Sequence, residues 1–225
     1  MARSGRPRVR EPLPPPLPPE SRTVGQLIAE SIRFYGRHFR RSLALGIVPG
    51  ALAVGGTFLD RRAQFALVAV GGTVLLSVCF VAACALVSEQ AVSRRTFATA
   101  WAAAVLIWIP VPFLALAFVL PAVAWLALMG MAVPAAVVER LPFRRALGRG
   151  PALARADYIH ALGSLAAIVI VVFLSQSMLW LLLHQGSEQA ARVAVFLANL
   201  VVSPLLFLGG AFLYYDQAAR LQARQ

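Results

Sequence analysis

The chain has 225 residues, 60% of them hydrophobic and 13% charged, and carries a net charge of +12. All 21 of its basic residues are arginine. In a soluble protein that balance would point to nucleic acid; at this hydrophobicity it points to a membrane protein whose arginines face anionic lipid, and nucleic acid is not an expected partner.

Residues 1–22 are rich in Pro and Arg, with LPPPLPPE at 13–20. They lack apolar periodicity and are read as a disordered or polyproline II cytoplasmic tail. No apolar run follows Met1, so no signal peptide is expected. Thr23 and Gln26 then have the spacing of a capping box. The helix they start gathers Val24, Leu27, Ile28, Phe34, Tyr35 and Phe39 on one face. Arg33, Arg37, Arg40 and Arg41 crowd its end, where cations suit the helix dipole. An apolar stripe closed by arginines describes a helix lying in the membrane interface.

Six spans are predicted, at about 42–59, 65–87, 98–119, 122–138, 161–183 and 193–215. The first contains Gly46-x-x-x-Gly50, a close-packing spacing for membrane helices. Thr96 to Val138 carry no charge at all. As one helix they would reach roughly 65 Å, about twice the ~30 Å hydrocarbon core. They are therefore read as two antiparallel passes with a turn near Leu120-Pro121, kinked at Pro110, Pro112 and Pro134. Cys79 and Cys84 sit inside an apolar run and are read as small buried residues. Between spans four and five, Phe143, Ala146, Leu147, Leu153 and Tyr158 form a second stripe, interrupted at Gly150-Pro151. Arg140, Arg144, Arg145, Arg149 and Arg155 accompany it. The last span ends in Tyr214-Tyr215-Asp216, read as an interfacial anchor.

Arginine parity sets the orientation. Arg61, Arg62 and Arg192 fall on one side of the alternation and every other arginine on the opposite side. Basic residues mark the cytoplasmic face, so both termini are expected in the cytoplasm after an even number of crossings. The expected fold is an all-α polytopic bundle of six transmembrane helices with amphipathic cytoplasmic interfacial helices. It fills residues 23–220, between the tail and a short cytoplasmic end at 221–225. A shift of 119 residues lays Val24 on Phe143, Ile28 on Leu147, Phe34 on Leu153 and Phe39 on Tyr158. This is the pattern of a repeated unit, a surface helix followed by a two-span hairpin, with Arg95-Thr-Phe-Ala as a shorter third copy.

Chemistry is sparse. Every acid lies in a tail, loop or surface helix, and His38, His160 and His184 fall at span ends. Ser175 and Ser177 have no His or Lys at their depth. No catalytic, metal or cofactor site is expected, and the chain is read as non-enzymatic. No charged residue lies inside a predicted span, which argues against ion-coupled transport. Gln176 and Asn199 are the strongest polar features in the membrane, at similar depth on sequential spans. They suit an interhelical amide hydrogen bond of about 0.6–2 kcal/mol, or a polar substrate contact beside Pro204. Arg33, Arg37, Arg40, Arg41, Arg144, Arg145 and Arg149 are candidate contacts for anionic headgroups, at about 1 kcal/mol each. The leading expectation is a membrane-organising or accessory protein acting through lipid or partner contacts; the alternative is a permease for a neutral or lipid-like substrate.

TVGQLIAESIRFYGRHFRRSLALG at 23–46, ERLPFRRALGRGPALARADYIHALG at 139–163 and PLLFLGGAFLYYDQAAR at 204–220 together resemble the glycerophosphoryl diester phosphodiesterase membrane-domain family. The resemblance covers about residues 23 to 220 and implies a multi-pass protein of the bacterial cytoplasmic membrane. Gly150-Pro151 departs from the family pattern, where a small polar and then an aromatic residue are usual. In some relatives a soluble phosphodiesterase domain follows; with ten residues left from Asp216, none is expected here.

Overall fold

The computed structural model describes residues 21–183 and 187–224, so His184 and all of the Pro-rich tail except Ser21 and Arg22 lie outside the described residues. Helix is the only regular structure among those described. Five helical segments are long and apolar enough to cross a membrane: Arg61–Ser88, Arg94–Ala117, Val119–Val138, Tyr158–Leu182 and Glu188–Ala223.

Helix α1 (Val24–Arg37) starts at the capping box, Thr23 accepting from the Gln26 N–H while Gln26 Oε1 accepts from the Thr23 N–H at 2.8 Å. Its stripe is covered by protein rather than lipid. Leu27, Phe34 and Tyr35 are buried against α11 (Tyr158–Leu183) and α12 (Glu188–Ala223). Phe34 meets Phe212 edge-on, ring centroids 5.3 Å apart. Only Ile32 and Phe39 remain half exposed. The reason is the length of α12. Its 36 residues reach roughly 54 Å, well past a ~30 Å hydrocarbon core, and the projecting turns give α1 a wall to pack on.

The first predicted span is not one of the five, because the chain breaks it at Leu45-Gly46 into α2 (Phe39–Ala44) and α3 (Ile47–Gly56). It still runs along the first half of α12, antiparallel to it. Gly46 meets Leu200, Gly50 meets Phe196, and the Arg192 guanidinium lies 4.3 Å over the Phe58 ring. A Cβ on Gly46 would overlap the Leu200 carbonyl, and one on Gly50 would come within 2.9 Å of the Phe196 ring. Pro204 lies inside α12, four residues after Leu200. It has no N–H to offer the Leu200 carbonyl, so that oxygen faces the Gly46 Cα instead, a weak C–H···O geometry. The Gly-x-x-x-Gly spacing and the intrahelical proline are two halves of one contact.

The second span is a continuous helix of α4 (Arg61–Ala66), a π-helical turn (Leu67–Gly72) and α5 (Thr73–Ser88). The Asp60 carboxylate caps it, accepting from the Arg62 and Ala63 N–H groups at 3.4 Å each. The third span stops before Pro110, giving α6 (Arg94–Trp108) and α7 (Val111–Ala117). The hairpin turn falls at Phe118, which is extended (φ −160, ψ 151), two residues before Leu120-Pro121. Pro121 sits in the first turn of α8 (Val119–Met129), where its missing N–H has no partner to lose. The kink expected at Pro134 falls at Gly130-Met131, between α8 and α9 (Ala132–Val138). Pro134 cannot pair with the Gly130 carbonyl, and the Val133 N–H takes it at 3.3 Å.

Helix α10 (Phe143–Ala154) runs unbroken through Gly150-Pro151, correcting the expected interruption. A Cβ on Gly150 would lie 3.0 Å from Ala132 and from the Met129 carbonyl, so glycine lets α10 lie directly on the α8–α9 joint. Around that joint the core is built of small residues, among them Ala83, Ala100, Ala104, Ala132 and Ala136, all inaccessible to solvent. Such residues let helix backbones approach closely in a membrane. Cys79 and Cys84 are buried free thiols in the same core. The two stripe helices share a relation: α1 lies on α11 and α12, while α10 lies on α6, α8 and α9.

Candidate functional site

Polar side chains collect at two levels of the bundle. The first level is the end where α1, α10 and the last turns of α12 meet. Arg22 Nη1 donates to Asp216 Oδ1 at 2.9 Å, and the Asp216 side chain is fully buried. Arg220, four residues on, donates instead to Asp157 Oδ2 at 3.0 Å and to the Arg22 carbonyl at 2.9 Å. Gln217 donates to the Asp157 carbonyl at 3.1 Å. Beside them Arg149 Nε bridges both Glu139 oxygens at 3.0 and 3.1 Å, and the Tyr214 hydroxyl donates to Glu139 at 2.9 Å.

Tyr214 and Asp216 are therefore interior groups, not an interfacial anchor. Asp216 lies within the segment Glu188–Ala223, past its most apolar stretch. The available signal in the sequence was an acid and a base four residues apart, Asp216 and Arg220, in the final turns of a span; it does not reveal that each takes a distant partner.

The candidate lipid-contact arginines sit on this same end. Arg37, Arg40, Arg41, Arg144 and Arg145 are exposed and form no ion pair among the described residues. Arg33 lies 3.6 Å from Glu30, and Arg149 is held by Glu139.

The second level is inside the bundle. Gln176 on α11 and Asn199 on α12 face each other, Gln176 Nε2 donating to Asn199 Oδ1 at 3.1 Å. The same nitrogen donates to Ser203 Oγ at 3.1 Å, and Asn199 Nδ2 donates back to the Val195 carbonyl at 2.9 Å. Asn199 and Ser203 share a face because they stand four residues apart; that spacing was the signal for Ser203, which sequence reading passed over. Among the described residues the Gln176 Oε1 accepts no hydrogen bond.

This triad stands between two cavities. One, of about 330 Å³, lies between α3, the π-helical turn, α6, α11 and α12, with Leu52, Val68, Trp108, Gln176, Asn199 and Ser203 in its wall. The other, of about 460 Å³, lies between α11 and α12, with Phe173, Gln176, Trp180, Leu181 and Asn199 in its wall. Gly56 and Gln64 also line the first, which places it toward the end bearing Asp60 and Arg61, away from the ion-pair end. Among the described residues no charged side chain lines either cavity. The Trp108 indole N–H is buried and has no hydrogen-bond partner among the described residues. No group of three His, Cys, Asp or Glu is placed to hold a metal ion among the described residues.

No protein-family model matches the chain, and no curated protein or solved structure is significantly similar to it.

Proposed function

We propose that this is a non-enzymatic, six-crossing membrane protein whose arginine-bearing cytoplasmic end holds anionic lipid headgroups. One observation carries the reading: five exposed arginines without ion-pair partners among the described residues, Arg37, Arg40, Arg41, Arg144 and Arg145, lie on or beside α1, α2 and α10, which all pack on α12. Exposed Ile32 and Phe39 lie among them and would enter the acyl boundary. The sixth crossing is the broken α2–α3 segment. Its support is the antiparallel course along α12 from Gly46–Leu200 through Gly50–Phe196 to Phe58–Arg192. Both termini then lie in the cytoplasm, and Asp60–Gln64 on the far side. Kinship with the glycerophosphoryl diester phosphodiesterase membrane-domain family, and with it a bacterial cytoplasmic membrane, rests on the three sequence segments quoted above.

The test is lipid enrichment. The full chain is reconstituted in nanodiscs of mixed zwitterionic and anionic lipid, and the retained lipid is measured by mass spectrometry. Replacing Arg37, Arg40, Arg41, Arg144 and Arg145 by Gln should abolish the anionic enrichment, each arginine contributing about 1 kcal/mol. Unchanged enrichment would remove the proposal. A second reading, a permease for a neutral or lipid-like substrate, is favoured by the uncharged cavity beside Gln176 and Asn199.

A further inference from the structure

We infer that the 330 Å³ cavity is a binding site for one neutral lipid carrying a free hydroxyl, of the diacylglycerol class. Its hydroxyl would sit on the Gln176–Asn199–Ser203 triad, and one acyl chain would lie along Leu52, Val68 and Leu76.

The argument starts from charge. A phosphate or ammonium headgroup would enter a wall without counter-charge and lose its hydration uncompensated. A purely apolar guest would leave polar capacity stranded in a buried site, which is equally unfavourable. Among the described residues, Gln176 Oε1 in that wall accepts no hydrogen bond. A free hydroxyl supplies the matching donor in one small headgroup. The volume lies at the lower end of the roughly 300–1,000 Å³ that ligand sites occupy, enough for a headgroup and part of a chain.

Access is lateral. The neighbouring cavity shares Gln176 and Asn199 with the first, and Phe173, Trp180 and Leu181 in its wall are themselves on the exposed face of α11. A lipid entering between α11 and α12 meets the triad first. The π-helical turn gives the opposite wall its shape: Val68 and Gly72 of that turn line the cavity, and such turns concentrate at functional sites. Occupancy of this site underlies the permease reading without requiring transport. A protein that binds the lipid and does not move it keeps the site and loses only the permease. The arginine surface at the other end is separate, so its failure leaves this site untouched.

The experiment uses the full chain in zwitterionic nanodiscs with a diacylglycerol bearing a photoreactive diazirine in its acyl chain. Crosslinked residues are mapped by mass spectrometry. Labelling should concentrate on α3, the π-helical turn and α11 near Val172. Ala53→Trp, which fills the cavity, should lower it about tenfold. Gln176→Leu should lower it about fivefold, and should leave labelling by the hydroxyl-acetylated analogue unchanged. A phosphatidylglycerol probe with the same diazirine should not label the cavity. Labelling spread evenly over the exposed faces of α7 and α11, insensitivity to Ala53→Trp, or equal cavity labelling by phosphatidylglycerol would each overturn the inference. The wild-type map decides even where a variant fails to accumulate.

Discussion

The two ends of the bundle are built on opposite plans. At the arginine-bearing end, α9 and α10 lie against α5, α6 and α12 over a floor of alanines, and nearly every residue from Gly130 to Val137 is buried. Its interior polar groups are ionic, and Arg22–Asp216 and Arg220–Asp157 pair across 194 and 63 residues of sequence. At the opposite end, Leu116, Phe118 and Leu120 on the α7–α8 turn are largely exposed, and α11 shows Phe173 and Leu182 to the outside. There the polar groups between helices are the neutral Gln176, Asn199 and Ser203, with Asp60, Arg61 and Arg192 nearer the surface, and space remains between helices. The difference teaches where this chain holds its shape and where it leaves room for another molecule. The closed end is held by charge and small-residue packing, the open end by three hydrogen bonds.

Three substitutions bear on that contrast, in descending order of effect. Asp216→Ala at the closed end should destabilise by about 3–5 kcal/mol, because it leaves Arg22 without its buried partner. Asp216→Asn should cost less, since burial disfavours the charge rather than the shape. Denaturation of the reconstituted protein checks both statements; equal losses for Ala and Asn would show that the site needs the charge itself.

Gly46→Ala tests the seam joining the two ends, where the new Cβ meets the Leu200 carbonyl. About 3 kcal/mol is expected from overpacking, against a gain of roughly 0.5–1 kcal/mol for Gly148→Ala in α10, where a Cβ meets nothing within 4 Å. Similar unfolding midpoints for the two would dissolve the seam. The smallest effect belongs to the open end. Gln176→Leu should cost about 0.6–2 kcal/mol, and thermal melting should place it well below Asp216→Ala. A larger loss there would mean that the open end is as tightly held as the closed one.

Much of the architecture was legible in advance because it is local. The capping box at Thr23 and Gln26 needs only residues three apart. The length of the uncharged run from Thr96 to Val138 demands a fold-back, whatever surrounds it. The turn expected near Leu120-Pro121 falls two residues before Leu120, at Phe118, which carries no turn signature, and Pro121 marks the helix start that follows it. The anchor reading of Tyr214-Tyr215-Asp216 failed for a different reason: aromatic belts and buried tyrosines look alike until a partner such as Glu139, 75 residues away, is placed beside one of them.

By itself the amino-acid order determined the class of molecule, the rhythm of apolar and arginine-bearing segments and the level at which Gln176 and Asn199 meet. These follow from hydrophobicity, charge and helical rise, which act along the chain. The tertiary structure alone decided that α1 rests on protein, that Arg22 closes on Asp216, that Gly46 and Pro204 make one contact and that an uncharged cavity opens beside the triad. Each of those depends on which surfaces meet across space, and pairing between distant segments leaves no mark in the spacing of either one.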